Sequence, residues 1–167
     1  QKTSVLAAVL FFFAVRFSAA QIVYVDADAS SDTADGRGWD SAAVTIQQGI
    51  AFAELRGAEQ IWVAGGDYSG GIQPTSGVVI LGGFTSGDTL PSQRDPQVNP
   101  TTIDGAGTTR TVEFDQASSA TLDGFIVTGG AVAGTAYQGR GGAILLRSNS
   151  RYVRLSNLVV RDSNAIE

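Results

Sequence analysis

Three short stretches of the chain, Leu81-Gly82-Gly83-Phe84, Leu122-Asp123-Gly124-Phe125 and Leu155-Ser156-Asn157-Leu158, follow one pattern: an apolar residue, two small or turn-forming residues, then a second apolar residue. An internal repeat constrains a fold more than any local propensity, because a unit too small to bury its own apolar face must stack on a copy of itself. The third position of each repeat is Gly83, Gly124 or Asn157, the residue types that enter the left-handed backbone region most cheaply. The pattern therefore predicts a sharp bend with positive φ between two short strands. Apolar residues flank each bend at alternate positions, Val79 and Leu81, Phe125 and Val127, Val153 and Leu155, Leu158 and Val160, as strands with one buried face require. The repeats lie 41 and then 33 residues apart. The surplus chain falls in 85–100 and 129–141, rich in Gly, Pro, Asp and Ser, which reads as loops projecting from the corners.

The segments outside the repeats fit the same plan. Ile22-Val23-Tyr24-Val25 reads as a first strand, followed by a polar loop through Asp40. Ile46, Ile50, Ala53 and Leu55 recur near helical spacing, which predicts a helix over 44–55, with Ser41 as its N-cap and Gly57 just past its end. Ile61-Trp62-Val63-Ala64 reads as a buried strand stopped by Gly65-Gly66, and further short strands are expected at 101–104, 111–114 and 142–146. Together these features predict an all-β fold: a right-handed, single-stranded parallel β-helix, a solenoid with an N-terminal capping helix. The expected organisation is a signal peptide at 1–20, a strand, acidic loop and capping helix at 21–60, and coils over 61–167. The last residues, Ile166-Glu167, directly follow a strand and turn, so the coils read as incomplete and truncated at the C-terminal end. The open sheet edges of such a stack make end-to-end association an expected partner mode.

The leader carries its own message. Lys2, the apolar run from Val5 to Val15 and the small residues Ser18-Ala19-Ala20 have the order of a secretory signal cleaved before Gln21. The expected location is extracellular or at the cell surface, with outer-membrane association as one form of it, and no membrane span is expected in the mature part. The chain has no Cys and no His, which removes disulfides, thiolate chemistry and the commonest proton shuttle and metal ligand. Its net charge of -5 argues against nucleic acid as a partner, since a duplex binder needs a basic face.

The run Ile22 to Val25, the acidic loop ending at Trp39, the helix around Ile46 to Ala53 and the stretch Ile61-Trp62-Val63-Ala64-Gly65-Gly66-Asp67-Tyr68 resemble the N-terminal cap and first coil of pectate-lyase-like β-helix proteins. Leu81 to Phe84, Gln93-Arg94-Asp95-Pro96, Leu122 to Phe125 and Gly141-Gly142-Ala143-Ile144 are similar to repeats of bacterial secreted β-helix proteins, including the chlamydial polymorphic outer membrane proteins. The resemblance implies a secreted or cell-surface scaffold, adhesin-like, that binds glycans, cells or proteins. It implies equally a polysaccharide lyase or glycoside hydrolase whose catalytic coils lie beyond residue 167. A fold of this kind hosts both, so function has to be argued from a site.

Candidate site residues are few. Asp104 and Asp123 lie near strand ends and could form the carboxylate pair of a glycosidase, but each precedes a Gly, which is ordinary turn chemistry. No residue is assigned a catalytic role. Asp26, Asp28, Asp32 and Asp35 place four carboxylates in one loop, a candidate calcium site that competes with a plain solvated loop. No cofactor beyond calcium is suggested. Arg147, Arg151, Arg154 and Arg161 make the late segment basic, suited to an acidic glycan or simply to solubility. Among Trp39, Trp62, Tyr68 and Tyr137, Trp62 reads as core and Tyr137, in a Gly-rich loop, as the aromatic free to stack on a sugar ring.

Overall fold

Strand β1 (Ile22–Val25) starts the structure, a computed structural model that describes residues 21–30, 32, 34–134 and 139–166. The leader and Tyr137 lie outside the described residues. Helix α1 (Ile46–Arg56) follows, with the Thr45 hydroxyl accepting from the Gln48 amide at 3.1 Å. That hydroxyl satisfies one of the amides a helix start leaves open, so Thr45, and not Ser41, is the N-cap. Gly57 ends the helix in the left-handed conformation, as its position predicts. Ile46, Ile50 and Ala53 face inward, whereas Leu55 is on the solvent side.

Strands β2 (Gln60–Ala64), β4 (Val79–Phe84), β7 (Thr121–Asp123) and β11 (Arg154–Ser156) join β1 in one parallel sheet of order β1-β2-β4-β7-β11. Strands β3 (Gly66–Ser69), β5 (Thr101–Asp104), β8 (Ile126–Thr128) and β12 (Val159–Val160) form a second, of order β12-β8-β5-β3. Two smaller sheets pair β6 (Val112–Asp115) with β10 (Ile144–Arg147), and β9 (Ala131–Ala133) with β13 (Asn164–Ile166). Every one of these strand pairings is parallel. Parallel partners cannot be joined by a hairpin, so each strand finds its neighbour only after a long excursion of chain.

The expected right-handed, single-stranded parallel β-helix of the all-β class is corrected by this arrangement. The described residues form four small parallel sheets and one helix, with no continuous solenoid of uniform coils among them. The ladders are broken for a local reason: the strands are two to six residues long, and only two of the sheets gather more than two of them. Helix α1 packs on β1 and β2 and shares their core. Its Ile46, Ile50 and Ala53 belong to the same apolar cluster as Val23, Ile61, Ile80, Leu122 and Val127. Burying each of these aliphatic side chains contributes about 1.5–3 kcal/mol, so helix and sheets stand or fall together.

The three repeats meet in space, with one adjustment of register. Leu122 sits beside Leu155, as aligned, but its neighbour on β4 is Ile80, one residue before Leu81. The register of β2 against β4 shifts between Trp62 and Ala64, so β4 carries one extra residue at its Gly82-Gly83 bend. Such an insertion is a β-bulge, and it bends the strand that holds it. Gly83, Gly124 and Asn157 all have positive φ, of 93°, 82° and 51°.

Candidate functional site

The segment after the first bend does not project. Residues 85–100 fold back over the bends and are tied there by their own hydrogen bonds. Asp88 accepts from the amide and hydroxyl of Thr85, Gln93 Oε1 accepts from the amides of Thr89 and Leu90, and Asp95 Oδ1 accepts from the amides of Gln97 and Val98. The Asp95 amide donates to the Gly83 carbonyl at 2.7 Å, which seats the arm on the bend. Space explains the glycine. A Cβ on Gly83 would lie 2.6 Å from the Pro96 nitrogen and 2.8 Å from its Cα, closer than real side chains approach backbone.

Arg94 is the centre of this seat. Its Nε donates to the Gly82 carbonyl at 2.8 Å, and its Nη2 reaches Asp123 Oδ1 at 2.5 Å. Asp123 Oδ2 accepts from Ser156 Oγ and, at 3.0 Å, from Asn157 Nδ2. One carboxylate thus gathers the arm and two adjacent bends. Burial alone would push the Asp123 carboxyl up, but the hydrogen bonds from Ser156, Arg94 and Asn157, with the Arg94 charge, hold it below the usual carboxylate range. Asp123 is therefore an ionised anchor with its acceptor sites filled, unsuited to giving a proton near neutrality.

Beside the anchor runs a groove of about 630 Å³. Gln97, Asp95 and Asn157 stand at its polar edges, while Pro96, Ile126, Leu158 and Val159 supply an apolar lining. Gln97 and Asn157 are exposed at the rim, Asn157 with its Nδ2 turned to Asp123. Asp104, the other carboxylate of the expected pair, is spent on a turn: its Oδ1 accepts from the Ala106 amide at 2.8 Å. It lies on β5 in the second sheet, while Asp123 lies on β7 in the first.

Two of the four loop aspartates hold neighbouring groups. Asp26 accepts from the Asp28 amide and the Ser86 hydroxyl, and Asp35 accepts from the Arg37 amide and from Ser41 Oγ at 2.6 Å. The Ser41 hydrogen bond, followed by that from Arg37, holds the Asp35 carboxyl below its ordinary value. Among the described residues no group of three or more acidic side chains is placed to hold a metal ion. Of the four arginines, Arg147 pairs with Glu113 at 2.5 Å and with Asp115 at 2.7 Å, and Arg161 lies 3.8 Å from Asp162. Arg151 and Arg154 are exposed.

Tyr24, Trp39, Trp62 and Phe84 make one structural cluster. Trp62 is buried, as expected, and stacks on Phe84 with ring centroids 4.5 Å apart. Tyr24 meets both Trp62 and Trp39 edge-on, and the Trp39 indole donates to the Asp88 carbonyl at 2.8 Å. Tyr68 donates to the Ala64 carbonyl, and burial pushes its phenol well above the usual range.

Arg94, in the Gln93-Arg94-Asp95-Pro96 run, is the site residue that no motif marks. Its signal was a lone cation amid turn formers, two residues before a Pro. Compared with known proteins, the chain matches no protein-family model, no curated protein and no solved structure.

Proposed function

We propose that this chain is an exported, adhesin-like binding scaffold that takes an extended glycan in the groove between the 94–97 arm and the bends at Gly124 and Asn157. The observation that carries the reading is the lining of that groove: amide and carboxylate groups of Gln97, Asn157 and Asp95 stand beside the apolar surfaces of Pro96, Ile126, Leu158 and Val159. A sugar ring offers hydroxyls at its edge and C–H groups on its face, so it matches a polar rim next to an apolar wall. Binding, and not turnover, is favoured because the Asp123 carboxylate is committed to the Arg94, Ser156 and Asn157 side chains and that of Asp104 to the Ala106 amide. Export rests on the leader, and among the described residues no helix is long and apolar enough to cross a membrane.

The test is titration of residues 21–167 with a panel of neutral and acidic oligosaccharides by calorimetry, alongside Gln97→Trp, which fills the groove from an exposed position. Binding by the parent chain that Gln97→Trp weakens at least tenfold, at an unchanged melting temperature, supports the reading. Binding that Gln97→Trp leaves intact, or none at millimolar sugar, overturns it. Release of unsaturated or reducing products would move the protein to the lyases or hydrolases.

A further inference from the structure

Asp95 and Pro96 form the only Asp-Pro pair in the chain, and the arm grips the peptide bond between them from several sides. Asp95 Oδ1 accepts from the Gln97 amide at 2.9 Å and from the Val98 amide at 3.3 Å. Those hydrogen bonds reach across the Asp95–Pro96 peptide, so the carboxyl is folded forward over the bond that follows it. Its second oxygen, Oδ2, has no hydrogen-bond partner among the described residues, and Asp95 is exposed. The carbonyl oxygen of the same peptide accepts from the Asn99 amide at 2.8 Å.

The bond is also kept from swinging away. Upstream, the Asp95 amide is tied to the Gly83 carbonyl and Arg94 to Gly82 and Asp123. Downstream, Pro96 rests so closely on Gly83 and Gly124 that a Cβ on either would collide with it. A carboxyl held against its own peptide carbonyl reacts as if at very high concentration. A backbone N–H on the carbonyl oxygen steadies the negative charge that develops there, and a donor of this kind contributes about a hundredfold or more in rate. The Pro nitrogen carries no hydrogen in the peptide and leaves as a secondary amine once it receives a proton.

We propose that the Asp95–Pro96 bond is a self-cleavage site, attacked by the Asp95 side chain while the Asn99 amide holds the carbonyl oxygen. The bond from Asp95 Oδ2 to the Asp95 carbonyl carbon forms, the bond from that carbon to the Pro96 nitrogen breaks, and the carboxyl proton passes to the nitrogen. Water then opens the internal anhydride, leaving the Asp95 side chain and a new C-terminal carboxyl, so one water is consumed and nothing is oxidised or reduced. Because the step spends a proton, its rate rises as pH falls. The charged groups at this bend are Arg94 on the arm and Asp123 on β7, which neutralise each other, while β4 brings only Gly82 and Gly83. The two pieces stay joined, since β3 pairs with β5 and β4 with β7 across the cut. This inference does not depend on the glycan groove.

The experiment is mass spectrometry of the purified chain, incubated at neutrality and at the lowest pH where circular dichroism shows it folded, with a sample in urea at that same pH. The expected result is a fragment ending at Asp95 and one beginning at Pro96. Cleavage is faster in acid, independent of protein concentration, and about tenfold faster in the folded chain than in urea. Asp95→Asn keeps an Oδ1 for the Gln97 amide but has no carboxyl, so it preserves the arm and stops the cleavage. Asp95→Glu keeps the carboxyl but must close a larger ring, and it slows the cleavage. A folded chain that stays whole in acid, an equal rate in urea, a rate that climbs with concentration, or either variant cleaving as fast as the parent overturns the inference.

Discussion

Trp62 on β2 and Leu155 on β11 belong to the same parallel sheet, yet one is sealed and the other lies open. Strand β2 is buried along nearly its whole length because it is covered twice. Its Ile61 and Val63 belong to the apolar cluster, and its Trp62 packs on Phe84 and Tyr24, which Trp39 meets in turn. Strand β11 carries a single apolar residue, Leu155, and no described strand pairs on its outer edge. The difference teaches that burial here follows both a strand's own apolar content and the layer stacked next to it.

That comparison can be broken by paired substitutions. Trp62→Ala should cost about 3–5 kcal/mol by loss of a buried ring, measured by urea unfolding, whereas Tyr152→Ala, at an exposed position, should fall within about 0.5 kcal/mol. Leu122→Ala should cost about 2–4 kcal/mol and Leu155→Ala, its register partner, under about 1 kcal/mol. Equal losses at the two leucines would mean that the last layer is covered in solution, and dilution would then separate them.

The arm sharpens the comparison electrostatically. Asp123→Ala should cost about 3 kcal/mol, since it leaves the half-buried Arg94 without its partner. Because the folded carboxyl sits below its unfolded value of about 3.9, its stabilisation is complete above that pH and is lost as pH falls through the lowered folded value. Urea midpoints of the parent should therefore drop with acid more steeply than those of Asp123→Asn.

The smallest effects test the bends. Gly83→Asn should cost about 2 kcal/mol although Asn tolerates positive φ, because Pro96 leaves no room for a Cβ. Asn157→Gly, at the open bend, should stay within about 0.5 kcal/mol. A thermal melt of each variant checks the pair.

Much of this was legible in the chain. β-branched runs at 22–25, 61–64 and 101–104 gave strands because each has few ways to hide its apolar face. The bend residues declared their backbone, since only Gly and Asn enter positive φ cheaply at a repeated position. Other features were not legible. Strand β3 begins on the second Gly of the pair that stops the preceding strand and contains Asp67, so nothing local marks it, and only pairing with β5 makes it a strand. Leu55 keeps the helical period yet faces water, because α1 turns its stripe toward Val23, Val25 and Ile61 and leaves that last turn outside.

The sequence by itself determined where the chain is apolar and where it must bend, because those are local properties of side chains and backbone. Only the tertiary structure decided that the arm 85–100 closes over the bends, that Asp123 serves as an anchor for Arg94, and that the short strands gather into four parallel sheets. Those outcomes depend on segments tens of residues apart meeting in one register, and no single segment encodes the partner it will meet.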